Sequence, residues 1–139
     1  MPSHRFFDHT GDFGADMEAQ TREELFAELA PALMHLLTDN LQVILTTDDY
    51  ELEVEGIDDE ALLVALGNEL LYLFEVEGFL SASLSDVEVE DGVLRARVHG
   101  EHFDPARHPI ARPIKAVTHH GAEVALADGT WKARVIFDL

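Results

Sequence analysis

The order of its alternating and helical segments constrains the fold of this chain more than any other sequence feature. Two segments have apolar residues at helical spacing, and the others alternate apolar and polar residues as half-buried strands do. The helices do not separate the strands one by one, as they would in a regular βαβ protein. The order therefore predicts an α+β fold with a mostly antiparallel β-sheet and two main helices.

The first helix has a clear start signal. Thr21 and Glu24 have the spacing of a capping box, and the apolar residues that follow predict a helix over residues 22–37. Pro31 removes a hydrogen bond inside this helix, so the sequence predicts a kink or an irregular turn there. His35, near the end of the helix, is interpreted as a surface residue that suits the helix dipole.

The second helix is the more apolar of the two. Asp58 or Asp59 caps its start, Gly78 is a natural stop, and apolar residues cover so much of its circumference that it should be the buried helix. Gly67 lowers its helix propensity, which suggests close packing against the sheet. Strand patterns occupy the remaining segments: 4–7, 15–20, 41–46, 50–55, 79–90, 93–99, 114–118, 122–127 and 131–139.

Length and composition limit the class of protein. With 139 residues and 47% hydrophobic residues, the chain is expected to form one compact domain over residues 1–139. Cysteine is absent, which excludes disulfides, thiolate zinc sites and a cysteine nucleophile. No apolar run approaches the roughly 20 residues of a membrane span, and the first residues lack the apolar region of a signal peptide. We therefore expect a cytoplasmic protein without a membrane partner.

The charge is strongly unbalanced. The chain has 28 acidic and 9 basic residues, a formal net charge of −19. Nucleic-acid backbones would repel such a chain, so direct stable binding to RNA or DNA is not expected, whereas cations or a basic protein partner would be attracted. Adaptation of a solvated surface to high salt would account for the same charge.

Residues 8–14 form a polar turn between two strand patterns. Two carboxylates, Asp8 and Asp12, stand beside His9 and two glycines, a composition that suits a site for a calcium- or magnesium-type ion. The alternative is a polar hairpin in which Asp and Gly serve turn geometry alone. If the first and last strands are adjacent, Asp138 and the carboxylate of Leu139 would arrive near Asp12. The alternative for that end is a fraying terminus.

Other chemistry finds little support in the sequence. Histidines 99, 102, 119 and 120 could contribute to a zinc site, but scattered loop histidines are the more common arrangement. The chain has no phosphate-binding P-loop, dinucleotide fingerprint or serine nucleophile elbow. Lys115 lies within a strand pattern and is one of only two lysines. It is either an edge-strand residue that blocks aggregation or a cation directed at a partner's carboxylate or phosphate.

Taken together, these residues resemble the archease family. The resemblance covers nearly the whole chain in order, through the blocks Phe7-Asp8-His9-Thr10-Gly11-Asp12, Thr21-x-x-Glu24-Leu25-Phe26, Asn68-Glu69-Leu70-Leu71-Tyr72-Leu73-Phe74, Gly100-Glu101-x-Phe103-Asp104-x-x-x-His108, Ile114-Lys115-Ala116-Val117-Thr118-x-His120 and Trp131-Lys132-Ala133-Arg134-Val135-Ile136-Phe137-Asp138. Gly11 and His119 depart from it, since the family usually has Ala and an aromatic residue there.

The resemblance implies a function and a site. Archeases are cofactor proteins of the GTP-dependent, RtcB-type tRNA-splicing RNA ligase. They promote guanylylation of the ligase and its multiple turnover, and they bind a divalent cation, typically calcium. By position the metal ligands would be Asp12, Asp138 and Leu139, the last through a main-chain or terminal oxygen. Such a site predicts that the first and last strands lie side by side. Asp8 and His9 would support the loop, and Lys115 would face the ligase.

These considerations leave three hypotheses. The first is a non-enzymatic activator of the ligase, with no catalytic residues of its own. The second is a metal-dependent phosphoester hydrolase that uses Asp8, His9 and Asp12. The third is a binding module that acts without any ion.

Overall fold

Two antiparallel sheets and two helices form the fold in the computed structural model, which describes residues 2–9 and 12–139 apart from the side chain of His9. In chain order the elements are β1 (Ser3–His9), β2 (Asp12–Ala19), α1 (Arg22–Thr38), a short 3₁₀ helix (Leu41–Val43), β3 (Asp48–Glu55), α2 (Asp59–Glu77), β4 (Phe79–Glu90), β5 (Val93–His102), β6 (Ala116–Ala127) and β7 (Thr130–Asp138). The predicted α+β class is confirmed.

The strands divide into a four-stranded sheet, in the order β1-β2-β7-β6, and a three-stranded sheet, in the order β3-β5-β4. Each helix packs on strands of both sheets. The core contains apolar residues from both helices and both sheets. The first and last strands lie in the same sheet, and their predicted adjacency holds only through β2, which stands between them. The immediate neighbour of the last strand is β2, and β1 lies one strand further out.

The predicted signals at the helix ends are confirmed. Thr21 Oγ1 accepts from the Glu24 N–H at 3.1 Å, and Asp58 Oδ1 accepts from the Ala61 N–H at 2.8 Å. Gly78 ends α2 in the left-handed conformation, with φ of 67°. A Cβ on Gly67 would lie 2.5 Å from Cγ2 of Val117, so this glycine permits the close approach of α2 to β6.

α1 continues through Pro31 without an irregular turn, because the deeply buried residues on either side of the proline hold both halves in the core, whereas a kink at this proline stays a prediction. Two further local predictions are wrong. Residues 41–46 form a 3₁₀ turn and an irregular segment instead of a strand, since the Leu45 N–H is bound by a side chain of β5. The segments 114–118 and 122–127 belong largely to one strand, β6, with a register shift between Thr118 and Glu123.

The bounds of β1, β2 and β5 also differ from the predicted bounds. β1 extends to His9 and β2 begins at Asp12, so most of the polar 8–14 segment is paired strand. β5 continues to His102, beyond the predicted strand pattern 93–99. None of the helices within the described part of the chain is long and apolar enough to span a membrane.

Candidate ion site at the end of the larger sheet

Asp12, Asp138 and Lys115 meet at one end of the larger sheet. β2 and β7 pair in a register that includes Phe13 with Phe137, and one further step of this register sets Asp12 opposite Asp138. On the other side of β7, the Lys115 N–H donates to the Asp138 carbonyl at 2.8 Å. The structure therefore brings together three residues that are far apart in the sequence.

The two carboxylates share the sheet face that points away from the core. Along β2 and β7, Ala15, Met17, Val135 and Phe137 are buried in the core, and strand alternation directs Asp12 and Asp138 to the opposite face. Asp12 is half-buried and Asp138 is exposed. Asp8, by the same alternation, lies on the face opposite to that of Asp12. The His9 side chain lies outside the described residues, although its backbone pairs with Asp12.

The residues present fit a hard divalent cation. The carboxylates of Asp12 and Asp138 have no hydrogen bond or ion pair with another described residue, so their oxygens are available to a ligand. Leu139 packs against the core, which holds the adjoining main-chain oxygens close to Asp138. In the described part of the chain no three His, Asp or Glu side chains converge on one point, so main-chain oxygens and water would have to complete a calcium-type shell.

A segment that sequence reasoning missed ties this end of the sheet to α1. The N–H groups of Ala111 and Arg112 donate to the Leu37 carbonyl at 2.8 and 3.3 Å. The Arg112 guanidinium donates to the Leu36 carbonyl at 3.0 Å and lies 5.2 Å from the centre of the Phe13 ring. Since Phe13 adjoins Asp12, the end of α1 is packed directly beneath the candidate site.

Asn68 fixes the start of β6 beside Lys115. Its Nδ2 donates to the Val117 carbonyl at 3.0 Å, and its Oδ1 accepts from the Val117 N–H at 2.9 Å, so a side chain of α2 takes the place of a neighbouring strand. Sequence reasoning placed Asn68 only within a family block. An asparagine in an otherwise apolar helix was the signal that could have indicated it.

We expect Asn68→Ala to loosen the start of β6 while leaving the fold intact. Two net hydrogen bonds are lost, which corresponds to about 1–2 kcal/mol in the free energy of unfolding. Hydrogen exchange should show faster exchange at Val117. Glu60→Ala is the matched control, because Glu60 accepts from the Val124 N–H further along the same strand and its loss should affect Val124 alone. Unchanged exchange at Val117 would contradict this role of Asn68.

Arg134 stabilises the outer face of the same sheet. It donates to both oxygens of Asp16, at 2.7 and 3.0 Å, and its guanidinium lies 4.4 Å from the centre of the Phe7 ring. Phe7 in turn covers Gly14, where a Cβ would lie 2.2 Å from the ring. The hydrogen bonds from Arg134 hold the pKa of Asp16 below its usual range. The three strands β1, β2 and β7 are thus fastened together next to the carboxylates.

Glu101 anchors the loop before Lys115. Its buried carboxylate accepts from the Leu45 N–H at 2.7 Å, from Nε2 of His108 at 2.9 Å and from the Arg107 guanidinium. The Asp104 N–H donates to Nδ1 of His108, which places the ring proton on Nε2. The block from Gly100 to His108 therefore has a structural role that the spacing of its residues in the sequence does not indicate.

The histidines do not form a zinc site among the described side chains. His99 contacts Ser85 Oγ at 2.6 Å, and His102 lies 3.6 Å from Asp48, while His119 and His120 are exposed in β6. The interpretation of His35 as a simple surface residue is wrong. It is half-buried and its Nδ1 lies 3.0 Å from Nε2 of His4, because β1 packs beside α1 at this point.

Comparison with known proteins identifies the family. The model of the Archease protein family (MTH1598/TM1083) matches residues 4–139. This chain belongs to the archease family. The archease of Pyrococcus furiosus is 36% identical over 137 residues, which is 96% of each chain. The archease of Methanopyrus kandleri is also 36% identical, over 135 residues that cover 95% of this chain and 96% of that protein.

Solved archease structures share the fold. Protein 1598 of Methanobacterium thermoautotrophicum superimposes with a TM-score of 0.79 at 28% identity, over 98% of both chains. An archease of Thermotoga maritima, described as a possible chaperone, superimposes with a TM-score of 0.65 over 96% of this chain and 94% of its own. At 19% identity the latter comparison concerns the fold alone.

Proposed function

We propose that this archease is a non-enzymatic activator of a GTP-dependent, RtcB-type tRNA-splicing RNA ligase in the cytoplasm. In this proposal it promotes guanylylation of the ligase and its multiple turnover. A divalent cation, calcium in the first instance, is bound by Asp12, Asp138 and a main-chain oxygen of Leu139. The observation that carries the proposal is the pair of carboxylates at facing positions of β2 and β7, which bind no side chain or backbone group of the described residues, in a chain that belongs to the archease family.

The surroundings of the carboxylates support a role in protein contact. Lys115 is exposed and its N–H donates to the Asp138 carbonyl, so a basic residue adjoins Asp138 through the backbone. When bound, the cation would supply a positive centre for phosphate or carboxylate oxygens. The net charge of −19 favours a basic protein surface over RNA as the direct partner.

The geometry favours the activator over the hydrolase hypothesis. A hydrolase using Asp8, His9 and Asp12 would need both carboxylates to face one substrate, but strand alternation places Asp8 and Asp12 on opposite faces of the hairpin. In the proposed function Asp8 supports the loop and takes no part in chemistry. Turnover of phosphoesters by the isolated protein would restore the hydrolase hypothesis.

We expect Asp12→Asn, Asp138→Asn and Lys115→Ala each to reduce stimulation of the ligase. The two carboxylate variants should lose about tenfold or more in cation affinity, because each removes a charged oxygen ligand. Lys115→Ala should retain cation binding and lose stimulation. The measurements are ligase guanylylation, multiple-turnover RNA ligation and calcium titration of the protein alone.

Asp91→Asn is the matched control, since Asp91 is an exposed carboxylate in a distant hairpin. It should bind calcium and stimulate the ligase as the wild type does. If all three site variants stimulate fully, the assignment of these residues fails. Stimulation that persists after removal of every divalent ion from this protein would favour a binding module that needs no ion.

A further inference from the structure

The four sheet edges of this protein are not equally protected against pairing with another strand. β1 and β6 border the larger sheet, and β3 and β4 border the smaller one. An edge strand exposes unpaired N–H and C=O groups, and monomeric proteins usually block such edges with charge, bulges or covering side chains. Three of these edges carry such protection.

α2 covers the β6 edge. The side chain of Asn68 binds both backbone groups of Val117, and Glu60 accepts from the Val124 N–H at 3.0 Å. Between these two points the strand is interrupted by the register shift after Thr118. A second strand therefore finds little free backbone along β6.

Charge and irregularity protect the smaller sheet. β3 carries five carboxylates in eight residues, so a second β3 paired antiparallel about Leu52 would set Glu51 against Glu53. Like charges directly opposite each other destabilise a strand pair. β4 has register shifts after Ser81 and Ser85, and it carries three carboxylates towards its end.

In its described residues β1 has no covering side chain, no register shift and no run of like charges. It pairs with β2 in an unbroken register from Ser3 to His9, and the groups on its other edge make no hydrogen bond to the described chain. It carries one Arg and one Asp, so its formal charge is zero on a chain of net charge −19. The side chain of Arg5 is 81% exposed.

We propose that β1 is a homodimer interface, in which the β1 strands of two copies pair antiparallel. Pairing about Phe6 sets Arg5 opposite Phe7 and His4 opposite Asp8, so no like charges face each other and the contact is self-complementary under a two-fold axis. Four strands from each copy then form one continuous sheet. The pairs of Asp12 with Asp138 stay outside this contact, because β2 separates β7 from the interface.

The dimer forms in a concentration- and salt-dependent equilibrium. One edge strand buries a small area compared with permanent interfaces, and the net charge of each copy opposes association. Because salt screens this repulsion, high ionic strength favours the dimer.

Sedimentation equilibrium at high salt tests the proposal. The wild type should approach twice its monomer mass of 15.5 kDa as the concentration rises. Arg5→Glu should remain monomeric, since it adds a carboxylate to the edge. Lys132→Glu is the matched control, because it makes the same charge change on an inner strand of the same sheet and should dimerise normally.

Hydrogen exchange identifies the contact. In the dimer, the β1 amides that point away from β2 should become protected, whereas in the Arg5→Glu variant they should exchange rapidly. A wild type that stays monomeric at every concentration and salt level would overturn the proposal. So would a dimer whose outer β1 amides remain unprotected, since its interface would then lie elsewhere.

Discussion

Glu101→Gln is expected to destabilise the protein by about 3 kcal/mol at neutral pH, because it removes the charge from a buried carboxylate that three donors share. The new amide N–H₂ would also face at least one of those donors. Glu101 joins the end of β5 to Leu45 and to the loop that carries Arg107 and His108. Urea unfolding at pH 7 measures the loss. Glu75→Gln, at an exposed position on α2, is the control and should be nearly neutral.

The effect of Glu101 should depend on pH in a defined direction. Burial by itself would raise the pKa of Glu101, but the hydrogen bonds from Leu45, Arg107 and His108 outweigh it and lower the pKa from 4.5 to about 2. A carboxyl group with a depressed folded-state pKa stabilises the fold above its unfolded pKa, and this contribution is lost as the pH falls towards the folded value. The difference in the free energy of unfolding between wild type and Glu101→Gln should therefore shrink as the pH falls from 4.5 to about 2. A difference that stays constant over this range would contradict the assignment.

Gly100→Ala is expected to lower the free energy of unfolding by about 3 kcal/mol or more and to lower Tm by roughly 10 °C. A Cβ on Gly100 would lie 1.7 Å from the carbonyl oxygen of Leu80 in the neighbouring strand. That oxygen belongs to the backbone and cannot rotate away, so β4 and β5 would have to separate. Thermal unfolding followed by circular dichroism measures the change.

Gly129→Ala separates this steric effect from the general cost of replacing a glycine. Gly129 has φ of 78° and open space around the position of a Cβ, so alanine there meets only backbone strain of about 1–2 kcal/mol. Gly100→Ala should be clearly more destabilising than this control. Equal losses would mean that β4 adjusts to the added methyl group more readily than the geometry indicates.

Local signals in the sequence were sufficient for most of the secondary structure. Thr21, Asp58 and Gly78 mark helix ends through bonds to residues only a few positions away, so the sequence contains both partners of each interaction. The wrong predictions lie where a distant partner decides. Residues 41–46 have the apolar pattern of a strand, but Glu101 binds the backbone of Leu45 from 56 positions away.

The candidate site shows the same contrast between features that local signals predict and features that distant partners decide. Sequence reasoning named Asp12, Asp138 and Lys115, while Arg112 and Asn68, which hold the surrounding segments in place, were missed because their partners are the distant Phe13, Leu36 and Val117. The structure also separates Asp8 from Asp12, since only the register of β1 with β2 decides which face each carboxylate occupies.

The sequence by itself determined the α+β class, the helix ends, the acidic character and the family of this protein, because short-range patterns and composition carry that information. Only the tertiary structure decided that β7 lies beside β2, that Asp12 and Asp138 each adjoin the Phe13–Phe137 pair, and that β1 borders the larger sheet. Strand register and edge protection depend on contacts between residues far apart in the chain, and no local pattern specifies them.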